Sequence, residues 1–149
     1  MKKFSGLMLF LLLSNHAMAQ APLQATQLLE QRVQLLQLGL QPKDADTLVD
    51  AFANAVLQRN GAVQYAFYCK GLRATNLVGF QQMNWVTGAS SPSVDSFNID
   101  KGVDGKYVIT YKLVAGGKEV GSMVDMLQVV EEPSETGKMR YCITSYSNR

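Results

Sequence analysis

The sequence predicts an α+β fold, with N-terminal helices packed on a four-stranded, curved antiparallel sheet. Three observations lead there. Up to about residue 70, apolar side chains recur at helical spacing. From residue 93 the spacing changes to two, the period of a strand. Asp104-Gly105 and Gly116-Gly117 then join the strand-like runs so tightly that consecutive strands must pair antiparallel. Helices that precede the strands, instead of alternating with them, give α+β and not a parallel α/β sheet.

The first helix is expected over residues 23–38, which lack glycine and proline. Leu28, Leu35 and Leu38, flanked by Leu29, Val33 and Leu36, make one wide apolar stripe. That stripe packs on the core or on a partner, and Gly39 and Pro42 end the helix. A second helix is expected over 45–59, capped by Asp44 or Asp46, with Leu48, Val49, Phe52, Ala55 and Val56 along one side. Asn60-Gly61 reads as its C-cap. A third helix, 62–70, turns Val63, Ala66 and Phe67 inward, carries Cys69 near its end and closes at Gly71. Residues 74–84 read as a turn or two of loose helix.

Four strands follow, near 93–101, 106–114, 118–130 and 138–146, with an acidic loop, Glu131 to Gly137, before the last. The third is apolar on both faces, so its register is not fixed by pattern alone. Helices can cover one face only; the other face is expected to meet a partner, first of all a second copy of the chain.

The N-terminus predicts export. Lys2 and Lys3 precede an apolar run, Leu7 to Leu13, and then Ala17-Met18-Ala19, a small-x-small cleavage site. Residues 1–19 are expected to be a signal peptide, 20–42 an N-terminal amphipathic helix and 43–149 the folded domain. No cysteine follows the cleavage site and no later run approaches the ~20 apolar residues of a membrane span, so no membrane anchor is expected. The periplasm is the expected compartment. Cleavage would leave equal numbers of basic and acidic residues, which gives no footing for nucleic acid. It would also remove His16, the only histidine. Ser-His and Cys-His nucleophiles and histidine metal sites are then excluded, and no metal or other cofactor is expected. Cys69 and Cys142, an even pair in an oxidising compartment, read as a disulfide. Two separate buried thiols are the alternative.

The stretch Gly88-Ala89-Ser90-Ser91-Pro92 invites a catalytic reading. A nucleophile elbow needs glycine two residues after the serine, where this chain has Pro92, and it needs a histidine. The stretch instead reads as a corner: Gly88 supplies a left-handed residue and Pro92 pushes Ser91 out of helical geometry. Arg59-Asn60-Gly61, Tyr65, Trp85, Gly88 to Pro92 and "DGKYVITYKL" (104–113) occur in the order found in small extracytoplasmic proteins of the NTF2-like superfamily, which this chain resembles over residues 51–113. The resemblance implies a cone-shaped α+β fold and carries no catalytic signature. The fold hosts isomerases, dehydratases, immunity factors and pure binders.

Candidate site residues follow from strand alternation. Asp125 shares a strand face with Met123, Leu127 and Val129; in a dry pocket its pKa would rise and it could serve as a general base. Trp85, Phe97, Tyr107 and Tyr111 read first as core packing, with the tyrosine hydroxyls reaching water, and are candidate walls of an apolar pocket. Arg140 and Tyr146 complete the set; Arg140 reads first as an exposed edge-strand arginine and otherwise as a group that holds an anion. If Cys69 lies over the concave face, alternation sends Cys142, Arg140, Thr144 and Tyr146 there and Met139, Tyr141 and Ile143 outward. The expected function is binding, of a small apolar molecule in the cone or of another envelope protein. The alternatives are a small isomerase or dehydratase using Asp125 with a tyrosine donor, and an inhibitor or immunity protein for an exported toxin.

Overall fold

A computed structural model describes residues 27–37, 39–134 and 137–149. The expected signal peptide, its cleavage site, His16 and the first residues of the expected first helix lie outside the described residues. The chain divides into two units, one up to Leu35 and one from Leu36 to Arg149. In the first, residues from 27 onward are helical, as part of a helix α1 over 27–37; Val33 is buried, while Leu28 and Leu35 are exposed. No helix among the described residues is long and apolar enough to cross a membrane.

The second unit has the expected α+β architecture, with the helices mostly ahead of a curved, unclosed four-stranded sheet. Helix α2 spans Ala45–Leu57, and Asp44 caps it, its carboxylate accepting the backbone N–H of Thr47 at 2.7 Å. Its inward stripe is Leu48, Val49, Phe52, Ala53 and Ala55, all buried. Burying a side chain such as Phe52 contributes roughly 1.5–3 kcal/mol.

The join between α2 and α3 (Gly61–Phe67) corrects one expectation. Arg59, with φ 58°, takes the left-handed position that ends α2, and Asn60 is the N-cap of α3. Its side-chain oxygen accepts the N–H of Val63. Asn60-Gly61 therefore starts a helix instead of closing one. Gly61 is needed for a different reason: a Cβ there would lie 2.8 Å from the carbonyl oxygen of Trp85, to which the Gly61 N–H donates.

A second correction concerns Cys69. Helix α3 stops at Phe67, Tyr68 is extended, and Cys69 is the N-cap of a full helix α4, Lys70–Gln82. Gly71 lies inside α4 and does not close α3. The expected loose turns at 74–84 are the body of this helix. Its two glycines and its polar composition hide it from a reading by apolar periodicity.

The sheet is an antiparallel meander, β1 (Ser93–Lys101), β2 (Lys106–Ala115), β3 (Lys118–Pro133) and β4 (Met139–Asn148), in that spatial order. Asp104 and Gly105 (φ 55° and 72°) make the first tight turn, Gly116 and Gly117 (57° and 76°) the second. Two consecutive positive φ values match the right-handed twist of a hairpin. Tyr107, Ile109 and Tyr111 of β2 and Asp125, Leu127 and Val129 of β3 are buried together, with Ile109 opposite Asp125. This resolves the register of the doubly apolar third strand: Asp125 faces inward. The outer face carries Val108, Thr110, Val124 and Met126, none of them fully buried.

In β4 the simple alternation fails. Gln128 pairs with Ser145 and Val129 with Ile143, so Thr144 is an extra, bulged residue. Cys142 and Ile143 are both fully buried, and Thr144 is exposed. The expectation that Ile143 faces outward and Thr144 inward is overturned by that bulge. Tyr146 does face inward, on the far side of the bulge.

The Cys69–Cys142 disulfide is present, spanning 73 residues of sequence. It ties the start of α4 to the edge of the sheet. Beside it the Cys69 N–H donates to the carbonyl of Ile143 at 2.8 Å, and Tyr68 makes a parallel bridge to the same residue.

Candidate functional site

Asp125 is the centre of the site. It has no solvent exposure, and it sits mid-strand in β3. One carboxylate oxygen, Oδ1, accepts from the side-chain amide of Asn148 at 2.7 Å and from the Tyr146 hydroxyl at 3.2 Å. The other, Oδ2, is buried without a hydrogen-bond partner, as is the hydroxyl of Tyr111. That hydroxyl lies close enough to help hold the carboxylate ionised, yet does not reach ordinary hydrogen-bond geometry. Burial is the larger effect and raises the pKa of Asp125; Asn148, Tyr146 and Tyr111 each oppose the shift.

An aromatic lining surrounds the carboxylate. Phe52 of α2 meets the rings of Tyr68 and Tyr146, at 6.1 and 5.9 Å between centroids, and Tyr68 meets Tyr146 at 6.1 Å. Tyr111 meets Phe97 of β1. Burial raises the pKa of Tyr68, Tyr111 and Tyr146, and the charge of Asp125 adds to it in all three. They stay protonated at any working pH, so each brings a neutral hydroxyl to the interior. The arrangement is a carboxylate with three neutral phenols in a dry aromatic setting. It can bind a hydrogen-bond donor, and it can move a proton if a substrate reaches it.

Of the residues read from sequence, Asp125, Tyr111, Tyr146 and, through Tyr111, Phe97 come together. Trp85 does not join them; it packs on Tyr65 and Phe80 near the corner. Tyr107 lies on the same strand face as Tyr111, but its hydroxyl donates to Asp46, which also holds Lys101. Arg140 forms an ion pair with Glu132 beside the disulfide. Tyr68 and Asn148 belong to the site and are missing from the sequence reading, which has Phe52 only as part of the inward stripe of α2. Asn148 had a signal: it follows Tyr146 by two, the strand period. Tyr68 had none in a segment read as helix.

The Gly-x-Ser-Ser-Pro stretch is a corner, as expected. Arg59 donates from Nε to the carbonyl of Thr87 and from its terminal nitrogen to that of Gly88. The Thr87 N–H returns a bond to the carbonyl of Arg59, and Gln64 reaches the Thr87 hydroxyl. Gly88 is left-handed (φ 70°), the Ser91–Pro92 peptide is cis, and both serines are exposed. These bonds explain why Arg59-Asn60-Gly61 and Trp85 to Gly88 occur together: each completes the backbone of the other.

Among the described residues, Cys69, Cys142 and Glu132 lie close enough together to hold a metal ion, but their sulfurs are joined in the disulfide. Glu132 is already engaged by Arg140 and the Lys70 N–H. Comparison with known proteins finds no matching family model, no similar curated protein and no similar solved structure.

Proposed function

We propose that this is an exported, periplasmic binding protein of NTF2-like architecture, and that its ligand site is the aromatic interior around Asp125. The order of helices before a curved four-stranded meander supports the architecture. The disulfide fits an oxidising compartment. One observation carries the binding site: Asp125 Oδ2 and the nearby Tyr111 hydroxyl are buried, and neither reaches a hydrogen-bond partner. Folded proteins leave few such groups, because each costs about 1–3 kcal/mol. A ligand that satisfies both recovers that cost on binding. Its chemistry follows: a small, largely apolar body to stack on Phe52, Tyr68 and Tyr146, bearing a hydroxyl or amine to donate to the carboxylate.

Naphthol and naphthalene make a matched pair of probes. Naphthol is expected to bind at least tenfold more tightly, the equivalent of one hydrogen bond. Asp125→Asn and Tyr111→Phe should narrow that gap and leave naphthalene unchanged. Equal affinity for the two probes, or no binding of either, would refute the site.

A second reading is a small isomerase or dehydratase in which Asp125 is the general base and a tyrosine the donor. The raised pKa of Asp125 beside neutral phenols favours it. The complete enclosure of Asp125 and Tyr111 bars a ligand and a substrate alike until a wall moves. Loss of turnover in Asp125→Asn, with ligand affinity retained, would establish the enzyme.

A further inference from the structure

We infer that residues 145–149, the half of β4 beyond its bulge, form a hinged strap over Asp125, and that its opening is how a ligand enters. The inference rests on the binding reading above and adds the route and the moving part.

Asp125 and Tyr111 have no exposure, so something must move before either can touch a ligand. The walls differ in what holds them. Strands β2 and β3 are paired on both edges. Tyr68 is fixed against β4 by its bridge to Ile143, with the disulfide next to it. Phe52 is fully buried in the middle of α2. Two walls stand at sheet edges: β1, which brings Phe97 against Tyr111, and the end of β4, which brings Tyr146 and Asn148 onto Asp125 itself.

Strand β4 has two halves with different anchorage. Cys142 and Ile143 are held on both sides, by the ladder to β3 and by Tyr68, the Cys69 N–H and the disulfide. Residues 145–149 pair, among the described strands, with β3 alone; the last of these bonds are the reciprocal pair between Val124 and Arg149. The bulge at Thr144 separates the halves. A bulge interrupts the ladder and lets a strand bend, so the outer half can release without disturbing the pinned half.

What closes the strap is also what binds in the site. Tyr146 and Asn148 both donate to Asp125 Oδ1, and the Tyr146 ring lies on Phe52 and Tyr68. Opening breaks those two side-chain bonds together with the backbone ladder of residues 145–149 to β3, and it uncovers the aromatic lining. A ligand that donates to the carboxylate offsets one of those losses. The strap therefore couples ligand chemistry to access: a purely apolar molecule gains nothing from the uncovered carboxylate.

The test compares the unmodified protein with a strap locked shut. Met126 and Ser147 are register partners on the outer face of β3 and β4, away from Asp125. A Met126→Cys/Ser147→Cys double variant, oxidised, staples the strap; Met126→Cys alone is the control. Naphthol should associate at least tenfold more slowly with the stapled protein than with the control. Hydrogen exchange on the unmodified protein needs no variant and no ligand: amides of residues 145–149 should exchange at least tenfold faster than those of 140–143. Equal exchange across β4 overturns the strap even if naphthol binds. Faster exchange with unchanged association in the stapled protein overturns its role as the entrance. If naphthol does not bind, the ligand reading fails, and the exchange contrast alone decides the strap.

Discussion

Asp125 makes the stability of the fold depend on pH, in the sense opposite to Asp44 and Asp46, whose hydrogen bonds hold their carboxyls below the usual value. Burial raises its pKa, so the folded chain holds the proton more firmly than the unfolded chain does. Its contribution to stability is therefore complete below the unfolded value, about 3.9, and is lost as pH rises through the raised folded value. Above that window the fold carries a buried carboxylate with one oxygen unpartnered. Asp125→Asn removes the charge and keeps the acceptor for Asn148 and Tyr146. The variant is expected to be more stable than the parent at pH 7, by on the order of 1–3 kcal/mol, the cost of a buried unsatisfied acceptor. The advantage should vanish toward pH 3, where Asp125 itself is neutral. Urea midpoints for both proteins at several pH values measure this. A variant less stable at pH 7 would show that the neighbours hold the charge better than burial opposes it. The sequence made Asp125 visible because a charge stood in an otherwise apolar strand. It did not show which way the residue points, since both faces of β3 are apolar and only pairing with Tyr107, Ile109 and Tyr111 decides it.

Among the elements, the hairpins were the most legible and the helix junctions the least. Turns announce themselves through residues that tolerate positive φ, and both tight turns stand where Asp104-Gly105 and Gly116-Gly117 placed them. The two glycines that close those turns are nonetheless not equivalent. A Cβ on Gly105 would lie 2.4 Å from the carbonyl oxygen of Val129, whereas one on Gly117 meets nothing within 4 Å. Val129 also donates its N–H to the Gly105 carbonyl, so the turn is packed on the neighbouring strand and cannot move aside freely. Gly117→Ala should cost about 1–2 kcal/mol, the left-handed penalty alone. Gly105→Ala should cost more, because backbone must shift as well as twist. Denaturation midpoints of the two variants check this, and equal losses would show that the Gly105 turn yields without cost. The junctions were illegible for the opposite reason. Arg59 takes a left-handed conformation with no glycine to advertise it, and Tyr68 leaves the helix in mid-pattern because its extended backbone pairs with Ile143, 75 residues later. Such long-range pairing overrides local propensity and has no local signature.

Across the whole molecule, the contact that closes the fold is the meeting of Tyr68 and Cys69 with β4. The cysteine count and the export expected from the N-terminal pattern pointed to the disulfide, and the pairing is as expected. Which face Cys142 shares with its neighbours was not recoverable, because a one-residue bulge at Thr144 changes the parity of everything beyond it. The disulfide is expected to contribute roughly 4–5 kcal/mol by restricting the unfolded chain, since the loop it closes is long. Typical domains are stable by only about 5–15 kcal/mol, so that is a large share. The native geometry around the bond is also held by the Cys69 N–H and the Tyr68 bridge, which do not need the sulfurs. A Cys69→Ser/Cys142→Ser double variant should therefore still fold, with a much lower urea midpoint and a steeper dependence on urea. The slope should rise because an uncrosslinked unfolded chain exposes more surface. A lower midpoint with an unchanged slope would place the effect in the folded state, in lost packing of two buried residues, and a midpoint close to the parent's would mean that hydrogen bonding at the sheet edge holds α4 in place without the bond.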